Sequence, residues 1–587
     1  MNKLIFVALT GLLLFSVQLQ AQVTLPLTDL SFFKSPSHNW TLGADAWADL
    51  NQANLLNVKS GTGILVNQVN KDKHGEDLFT NIEHGDMDLE LDYMMAKGSN
   101  SGIYLQGRYE VQLLDSWGVA NARAVDNGGI YDRNAPRQNV SRAPGLWQHM
   151  KISFQAPRFD GSGHKTENAR MLRVELNGVV IHDGIALAAP TGGAISDEEA
   201  ASGPLRFQGD HGTVAFRNIS ITKYDKLRPE LSALQFKVYE GKYEAEPDYA
   251  KLTPQAQGTS PILSSNVVQL NNEFLLHYTG TLQIKEAGDY YFELGTPGGR
   301  GFLTINKQKL VPQKGTDGQL KINLPAGAVP FDLAYSKYED WARPSLALSV
   351  AGPGIREYAI SDANTGSPDV VDPILVNAPA NTLLHSFMDI PGQRIVHAVS
   401  VGSPLKLHYT YDMEKGSVVQ VWRGGFLDAT PMWHERGDGS SRPAGSVVHF
   451  GKSTYFLQKL SSAQAEWPAD STGTGYRPKG YKLDKDDRPA FRYQLYGSAV
   501  QDALTVLDNG QGIKREVTVQ APVAGLYARM ATGKNIELLP GGLYIIDKTY
   551  YIQVNEAAGA QAIIRTSNGV QELLLPVKEK ISYTILF

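Results

Sequence analysis

Side chains that can do chemistry alternate with apolar side chains in the segment 108–114. If this segment is a strand, Arg108, Glu110 and Gln112 share one face, because successive side chains of a strand point to opposite faces. A cation, a carboxylate and an amide in a row are common on an ordinary solvated face. The same groups can also supply a general base and hydrogen bonds to a substrate. Glu110 is then the leading candidate for a catalytic residue.

The preceding residues favour the second interpretation. Tyr104 and Gln106 would lie on the neighbouring strand, beside Glu110 and Gln112. A phenol and a further amide give the polar face the aromatic and hydrogen-bonding groups that suit a sugar. The pattern therefore predicts a site for a neutral, hydroxyl-rich ligand.

The composition excludes several other kinds of chemistry. The chain has 587 residues and no cysteine, so disulfides, cysteine-ligated zinc, iron–sulfur clusters, thiol nucleophiles and a lipoprotein acylation site are excluded. Its formal charge of −5 is not accompanied by a long basic run, and it favours neither nucleic acid nor an anionic membrane surface. We expect a carbohydrate partner, no nucleic acid and no membrane anchor.

Short alternating runs that end in Gly, Asn or Asp recur along the whole chain, whereas sustained helical periodicity is scarce. This pattern predicts an all-β protein made of three tandem β domains. Polar stretches around 223–234 and 361–380 indicate linkers. The predicted division is a signal peptide at 1–22, domains at 23–224 and 225–362, a linker at 363–379 and a C-terminal β-rich domain at 380–587.

The first 22 residues have the order of a secretory signal, with Lys3, the apolar run Leu4–Val17 and a small residue, Ala21, before the expected cleavage point. The apolar run is shorter than the roughly 20 residues that span a bilayer. We expect the signal to be cleaved and the mature protein to be periplasmic or secreted. An uncleaved segment that acts as an anchor is the alternative.

Several motifs between residues 28 and 224 occur together in a fixed order. They are Asn100–Tyr104, Tyr109–Gln112 with Asp115, Gly128–Tyr131, Trp147, Leu176–Gly178, Gly203–Gln208, His211-Gly212 and Phe216–Ile219. With these motifs the segment resembles the 3-keto-disaccharide hydrolase domain, a family of exported bacterial proteins often labelled family-sixteen-like glycoside hydrolases. The resemblance implies a concanavalin-like, jelly-roll β-sandwich at the N-terminus.

The resemblance also implies cleavage of a glycoside whose C3 hydroxyl has already been oxidised to a ketone. The ketone acidifies the C2 proton, so one base, a donor for the enolate oxygen and assistance to the leaving group are sufficient. Ordinary glycoside hydrolysis instead needs two carboxylates flanking the bond. Glu110 is the single carboxylate of its strand face, since Asp115 has the opposite parity unless a bulge intervenes. This spacing favours elimination.

Two other functions stay open. Asp115, or an acid from a distant loop, could supply a second carboxylate for direct hydrolysis of a β-glucan. A non-catalytic carbohydrate-binding or scaffolding protein could keep the sandwich without turnover.

We assign Glu110 as general base, with Arg108 or His211 as its electrophilic or acid partner. The predicted substrate-binding residues are Tyr104, Gln106, Gln112, Asp115, Tyr131, Trp147 and Gln208. For three of these residues a structural role is the alternative: a turn for His211, a loop cap for Asp115 and a core anchor for Trp147. His74 and His84 precede acidic residues, but their spacing favours loops over metal ligation. We therefore predict no metal and no cofactor, with a divalent ion at the enolate left open.

The other two domains carry weaker signals. Residues 235–354 resemble the sugar-binding sandwich of anthrax protective antigen, but the segment 296–300 lacks the adjacent aspartates of calcium-dependent members. In the C-terminal domain an aromatic sugar cleft and an ordinary core are both open interpretations of Trp422, Asp428, Trp433 and His434. The chain has no glycine pattern of a Rossmann fold, so a separate sugar 3-dehydrogenase would supply the oxidised substrate.

Overall fold

A computed structural model describes residues 22–69, 74–310, 319–363, 372–434, 439–555 and 561–587. These residues are nearly all β, with one short helix, α1 (Thr430–Trp433), and two 3-10 turns, Tyr249–Lys251 and Ser265–Val267. The all-β class predicted from the alternating runs is therefore confirmed. In the described ranges no helix is long and apolar enough to cross a membrane. The predicted signal peptide, apart from Gln22, lies outside the described residues.

The N-terminal sandwich contains two main sheets. The large sheet has the strand order β13-β12-β9-β6-β15-β4-β3, with β1 beside β15, and the site sheet has the order β2-β5-β14-β7-β8. Strands β10 and β11 form a separate hairpin. The bounds are β1 Gln22–Thr24, β2 Phe33–Lys34, β3 Trp40–Ala48, β4 Leu56–Asn67, β5 Leu78–His84, β6 Asp86–Met95, β7 Asn100–Leu105, β8 Tyr109–Leu114, β9 Gln148–Gln155, β10 Arg158–Phe159, β11 Lys165–Glu167, β12 Ala169–Leu176, β13 Val179–Leu187, β14 Gly203–Phe207 and β15 Val214–Tyr224.

The hydrophobic core of this sandwich lies between the two sheets. The large sheet contributes alternate residues such as Leu89 and Ile152, and the site sheet contributes Ile103, Val111 and Phe207. Because side chains alternate along a strand, the residues between these core positions point away from the core. The site sheet thus has an outer face on which polar side chains can gather.

Residues 222–363 form a second two-sheet arrangement. Its sheets have the orders β17-β16-β18-β23-β20-β21 and β22-β19-β24-β25, with Tyr278, Phe292, Phe331 and Leu348 in the core. The predicted likeness to the protective-antigen sandwich stays a prediction. The bounds are β16 Glu230–Glu240, β17 Ala256–Thr259, β18 Phe274–Ile284, β19 Gly288–Gly295, β20 Gly299–Ile305, β21 Gln308–Leu310, β22 Leu320–Leu324, β23 Gly327–Lys337, β24 Ala347–Gly352 and β25 Ile355–Ala359.

Three sheets form the C-terminal region. Their orders are β26-β30-β29-β28-β27 with β31 beside β30, then β32-β37-β42-β41, and β33-β34-β35-β36-β43-β40-β39-β38. The bounds are β26 Leu375–Val376, β27 Thr382–Ile390, β28 Gln393–Gly402, β29 Leu407–Asp412, β30 Ser417–Asp428, β31 Arg442–His449, β32 Leu457–Lys459, β33 Arg477–Leu483, β34 Pro489–Leu495, β35 Ser498–Val506, β36 Gly512–Val519, β37 Leu526–Gly533, β38 Ile536–Leu539, β39 Leu543–Ile546, β40 Tyr550–Val554, β41 Ile563–Ser567, β42 Val570–Pro576 and β43 Lys580–Leu586.

The N-terminal sandwich and the C-terminal region belong to one compact unit, whereas Thr222–Val371 belongs to another. Several hydrogen bonds between described residues join the sandwich to the C-terminal region, among them the following two. The Tyr551 hydroxyl donates to the Pro144 carbonyl (2.9 Å), and the Trp117 indole donates to the Phe587 carbonyl (3.0 Å). The domain limits given above stay a prediction.

Candidate active site

A tight turn between β7 and β8 determines which predicted residues share a face. Gln106 (φ 53°) and Gly107 (φ 65°) are in the left-handed region, and the three residues 106–108 connect the paired residues Leu105 and Tyr109. Strand β8 therefore begins at Tyr109, and the expectation that Arg108 lies on this strand was wrong. The Arg108 side chain instead donates to the carbonyls of Glu198 (2.7 Å) and Gln106 (3.0 Å).

Three adjacent strands bring polar groups together on the outer face of the site sheet. Tyr104 of β7 lies opposite Glu110 of β8 and opposite Arg206 of β14, so the three side chains share a face. The Arg206 guanidinium lies over the Tyr104 ring, 3.9 Å from its centroid. Glu110 and Gln112 lie on this face as predicted, but Arg206 was not among the predicted site residues.

Glu110 is only 2% exposed, and its carboxylate occupies space left by a glycine. A Cβ atom on Gly102 would lie 2.0 Å from Glu110 Oε1. Gln112 lies opposite Gly102 in the register. The surrounding hydrogen bonds orient its amide so that the nitrogen donates to the Ser101 carbonyl (2.9 Å) and to Glu110 Oε1 (3.1 Å).

Burial raises the pKa of Glu110 to about 7. A hydrogen bond from Tyr104 and the electrostatic interactions with Arg206 and His211 oppose this shift, and the negative charge of Asp77 adds to it. A carboxylate whose pKa is near neutrality can both accept and return a proton under ordinary conditions. Such a strongly perturbed group marks a candidate functional site.

Arg206 is held by two partners. Its Nε lies 2.7 Å from Asp77 Oδ2, and its Nη1 donates to the Gly193 carbonyl (2.7 Å). The other oxygen of Asp77 accepts from the Gly209 amide (2.9 Å). Arg206 and Asp77 thus form a fixed charge pair beside Glu110 that sequence reasoning missed. The sequence signals for them are the motif at 203–208, which belongs to the family resemblance, and the segment 74–77, whose spacing predicts a loop.

The loop 190–193 covers this cluster. Thr191 Oγ1 accepts from the Glu110 amide (2.9 Å), and the Gly192 carbonyl lies 3.2 Å from the Tyr104 hydroxyl. That hydroxyl has a single hydrogen, which it can donate either to the Gly192 carbonyl or to the Glu110 carboxylate. The Tyr131 ring lies against Gly192, where a Cβ atom would be 3.0 Å from it. These contacts shield Glu110 from water.

Two residues that follow β14 border the cluster. The backbone N–H of Gln208 donates to the Gly102 carbonyl (2.9 Å). The side-chain oxygen Oε1 of Gln208 is buried without a hydrogen-bond partner among the described residues. His211 is about half exposed, and its ring pairs with Asp210. A buried acceptor without a partner is costly, so Gln208 is suited to receive a hydrogen bond from a ligand.

The comparison with known families agrees with this geometry. Residues 33–222 match the family model of the 3-keto-alpha-glucoside-1,2-lyase-like domain. The N-terminal sandwich is a domain of this family. It has the concanavalin-like fold that the sequence motifs implied, and the match supports a glycosyl-hydrolase type of function for the lyase-like domain.

Two solved structures are similar to part of this chain. One "putative glycosyl hydrolase" from Parabacteroides distasonis is 28% identical over 33% of this chain and 84% of its own, with a TM-score of 0.25. A second protein of the same description and organism is 21% identical over 33% of this chain and 97% of its own, with a TM-score of 0.22. No curated protein matches the chain.

Three other predicted residues of the lyase-like domain hold the fold together. Gln106 is fully buried and donates to the carbonyls of His84 (3.3 Å) and Ala201 (3.0 Å). The Asp115 carboxylate accepts from the amides of Gly98 and Trp117. Trp147 packs in a separate apolar cluster, with the Arg217 guanidinium 4.0 Å from its ring centroid. These contacts fit the loop-cap and core-anchor alternatives for Asp115 and Trp147.

Two of the residues considered as metal ligands, His84 and Asp77, have other partners. The His84 ring accepts from the backbone N–H of Gln106 (2.9 Å), and Asp77 pairs with Arg206. Within the ranges that the structure describes, no group of three or more His, Asp and Glu side chains could hold a metal ion.

Proposed function

We propose that the lyase-like domain cleaves the glycosidic bond of 3-keto-glycosides, with Glu110 as the general base. The observation that carries this proposal is the position of Glu110: a buried carboxylate with a pKa of about 7, placed among hydrogen-bonding groups in a domain of this family. A base with such a pKa can remove a carbon-bound proton that a neighbouring ketone has acidified.

The reaction balances without a co-reactant. Glu110 takes the proton from C2, and the electrons of the C–H bond form an enolate with the C3 carbonyl. The enolate then re-forms the ketone while C1 and C2 become doubly bonded and the C1–O bond breaks. The departing alkoxide takes a proton, so the products are an alcohol and an unsaturated 3-keto sugar.

The residues around Glu110 can supply the other two requirements. Arg206 is the donor for the enolate oxygen, because groups aimed at developing charge in a buried site stabilise it most strongly. His211 is the acid that we assign to the leaving group. Gln112 and Gln208 hold substrate hydroxyls, and Tyr131 supplies ring surface. Arg206 takes the place that the sequence interpretation gave to Arg108.

Direct hydrolysis is less well supported than elimination. It needs a second carboxylate that is free to act as base or nucleophile. Asp77 lies beside Glu110, but Arg206 and the Gly209 amide engage its two oxygens. Asp115 is likewise engaged by two backbone amides. A direct hydrolase and a non-catalytic binding protein are therefore outcomes for the experiment to separate.

The test is turnover of 4-nitrophenyl 3-keto-glucoside beside the unoxidised glucoside. We expect nitrophenol release from the oxidised compound alone, with a primary isotope effect when C2 carries deuterium. Glu110→Gln should lower kcat by at least about 100-fold, the scale of a general base. The exposed Glu167→Gln is the matched control and should keep the wild-type rate. Release from the unoxidised glucoside would indicate hydrolysis, and binding without release a non-catalytic protein.

We also propose export and an upstream partner. The composition of residues 1–22 supports cleavage of a signal and a periplasmic or secreted protein. The substrate must first be oxidised at C3, which supports a separate sugar 3-dehydrogenase. Sequencing the N-terminus of the protein recovered from the periplasm and the medium tests export, and an uncleaved N-terminus would contradict it.

A further inference from the structure

The C-terminal region has a wide cavity that the proposed chemistry does not use. Its volume is about 990 Å³, and its lining includes Phe387, Val396, Trp433, Tyr455 and Tyr476. Binding sites for small molecules are concave and largely apolar, with a few polar groups that fix orientation. The cavity is of the size that such sites have.

An irregularity between β27 and β28 turns apolar side chains into this cavity. Ser386 pairs with Ala398 and Met388 with Ile395, so two residues of β28 oppose the single residue Phe387. Bulges of this kind redirect side chains. Phe387 is 45% exposed and Val396 is 49% exposed, although a solvent-facing position on a strand is usually polar.

Trp433 also lines the cavity and is 48% exposed. It ends helix α1, which is anchored because Asp428 accepts from the Thr430 amide (2.9 Å) and the Thr430 hydroxyl accepts from the Ile374 amide (2.8 Å). Trp422, by contrast, is fully buried and donates its indole hydrogen to backbone carbonyls. Of these two tryptophans, Trp433 therefore faces the cavity and Trp422 belongs to the core.

Two tyrosines form a further wall. Tyr455 and Tyr476 pack edge to face with their ring centroids 5.3 Å apart, and the Tyr476 hydroxyl donates to the Met413 carbonyl (2.9 Å). These contacts fix the rings before any ligand arrives. Preformed aromatic surfaces lower the entropy cost of binding.

The polar groups of the cavity indicate a neutral ligand. Hydrogen-bonding groups come from His385, Ser386, His397 and Glu414. Among the described residues that line the cavity, Glu414 is the only Asp, Glu, Lys or Arg. A site for an anion would be expected to contain Arg or Lys. Exposed rings together with uncharged hydrogen-bonding groups suit a molecule that has apolar C–H faces and hydroxyls.

We propose that this cavity is a saccharide-binding site, distinct from the site at Glu110, which takes two or three neutral sugar units against Trp433. The choice of a saccharide over other neutral ligands rests in part on the proposed function of the lyase-like domain. Such a site would hold a glycan on the same compact unit that carries the candidate active site.

The test is isothermal titration of the full chain with cellotriose, maltotriose and laminaritriose. We expect at least one of them to bind saturably, and Trp433→Ala or Phe387→Ala to weaken that binding at least 10-fold. Trp341→Ala is the matched control, because Trp341 is 74% exposed and lies in the separate segment 222–363. It should bind like the wild type.

The outcome is independent of the proposed catalytic function. Trp433→Ala should release nitrophenol from the small 3-keto-glucoside at the wild-type rate, so lost trisaccharide binding with intact turnover supports a separate site. The inference is overturned if no trisaccharide binds the wild type, or if both cavity variants bind a trisaccharide as well as Trp341→Ala does. It is also overturned if 4-nitrophenol binds the cavity and none of the trisaccharides does. A lack of turnover would count against the proposed function alone.

Discussion

Gly102 lies beneath the carboxylate of Glu110, on the neighbouring strand of the site sheet. A Cβ atom at this position would be 2.0 Å from Glu110 Oε1 and 2.9 Å from its Cδ. The backbone of Gly102 is not in the left-handed region, so its conformation alone does not require glycine. The absence of a side chain is therefore explained by the space that Glu110 occupies.

The first prediction concerns this contact. Gly102→Ala should displace the Glu110 carboxylate and lower kcat on the 3-keto-glucoside at least 10-fold, because a misplaced general base loses most of its contribution. The rate is measured as nitrophenol release at saturating substrate.

Gly161→Ala is the control for this substitution. Nothing lies within 4 Å of a Cβ atom at Gly161, and its backbone is likewise outside the left-handed region. We expect the control to retain the wild-type rate. A Gly102→Ala protein as active as Gly161→Ala would show that the position of the Glu110 carboxylate does not limit the reaction.

The second prediction is the dependence of the rate on pH. Glu110 acts as a base only when ionised, and its pKa is about 7, so kcat/KM should rise as the pH is raised through about 7 and then level off. Asp115→Asn is the comparison and should show the same pH dependence as the wild type. The Asp115 carboxylate accepts from two backbone amides and does not act as the base. A rate that stays constant between pH 5 and pH 9 would remove Glu110 as the base.

The third prediction separates Arg206 as a charge from Arg206 as a packing group. Its positive charge lowers the pKa of Glu110, so Arg206→Met should move the midpoint of the pH profile to higher pH as well as lower the rate. Arg206→Lys keeps the charge and should keep the midpoint near that of the wild type. Equal midpoints in both variants would mean that the guanidinium does not act on Glu110 electrostatically.

Much of the fold was predictable because strand alternation is local. The period of two placed Glu110 and Gln112 on one face and gave the all-β class. It failed at Gln106 and Arg108, because the turn at Gln106-Gly107 ends the alternation and sends both side chains to backbone carbonyls.

Arg206 and Asp77 could not be found in this way. Arg206 lies near Glu110 because β14 pairs with β7. Asp77 lies near it because this residue immediately precedes β5, which pairs with β14. The register of strands so distant in sequence depends on packing across the whole sandwich. Only the order of the family motifs pointed to residues 203–208, and it gave no role for the arginine.

The fourth prediction follows from the buried state of Glu110. Its pKa in the folded protein, about 7, is above the value of 4.5 expected for an exposed glutamate. The folded state therefore binds the proton more tightly, and stability is lost as the pH rises from about 4.5 to about 7. Glu110→Gln does not titrate, so it should gain stability over the wild type between pH 5 and pH 8, by roughly 3 kcal/mol at most.

Calorimetry at the two pH values checks this sign. The difference in Tm between Glu110→Gln and wild type should be larger at pH 8 than at pH 5, while Glu167→Gln shows no such trend. A difference that shrinks with rising pH would mean that ionised Glu110 stabilises the fold.

The last prediction concerns a buried charge pair in the C-terminal region. Arg515 donates to both oxygens of Asp502 (3.0 and 2.6 Å), and the Tyr411 hydroxyl donates to the same carboxylate (2.9 Å). Both charged residues are buried. Asp502→Asn would leave the Arg515 cation uncompensated, which costs about 3–5 kcal/mol in buried pairs.

The exposed pair of Asp484 and Arg488 is the control, with Nε and Oδ2 2.8 Å apart. Asp484→Asn should change stability by about 1 kcal/mol or less, because water screens exposed pairs. Scanning calorimetry of both variants should show a marked loss of Tm for Asp502→Asn alone. Equal shifts in the two variants would contradict the prediction, since they would mean that the carboxylate does not compensate a desolvated cation.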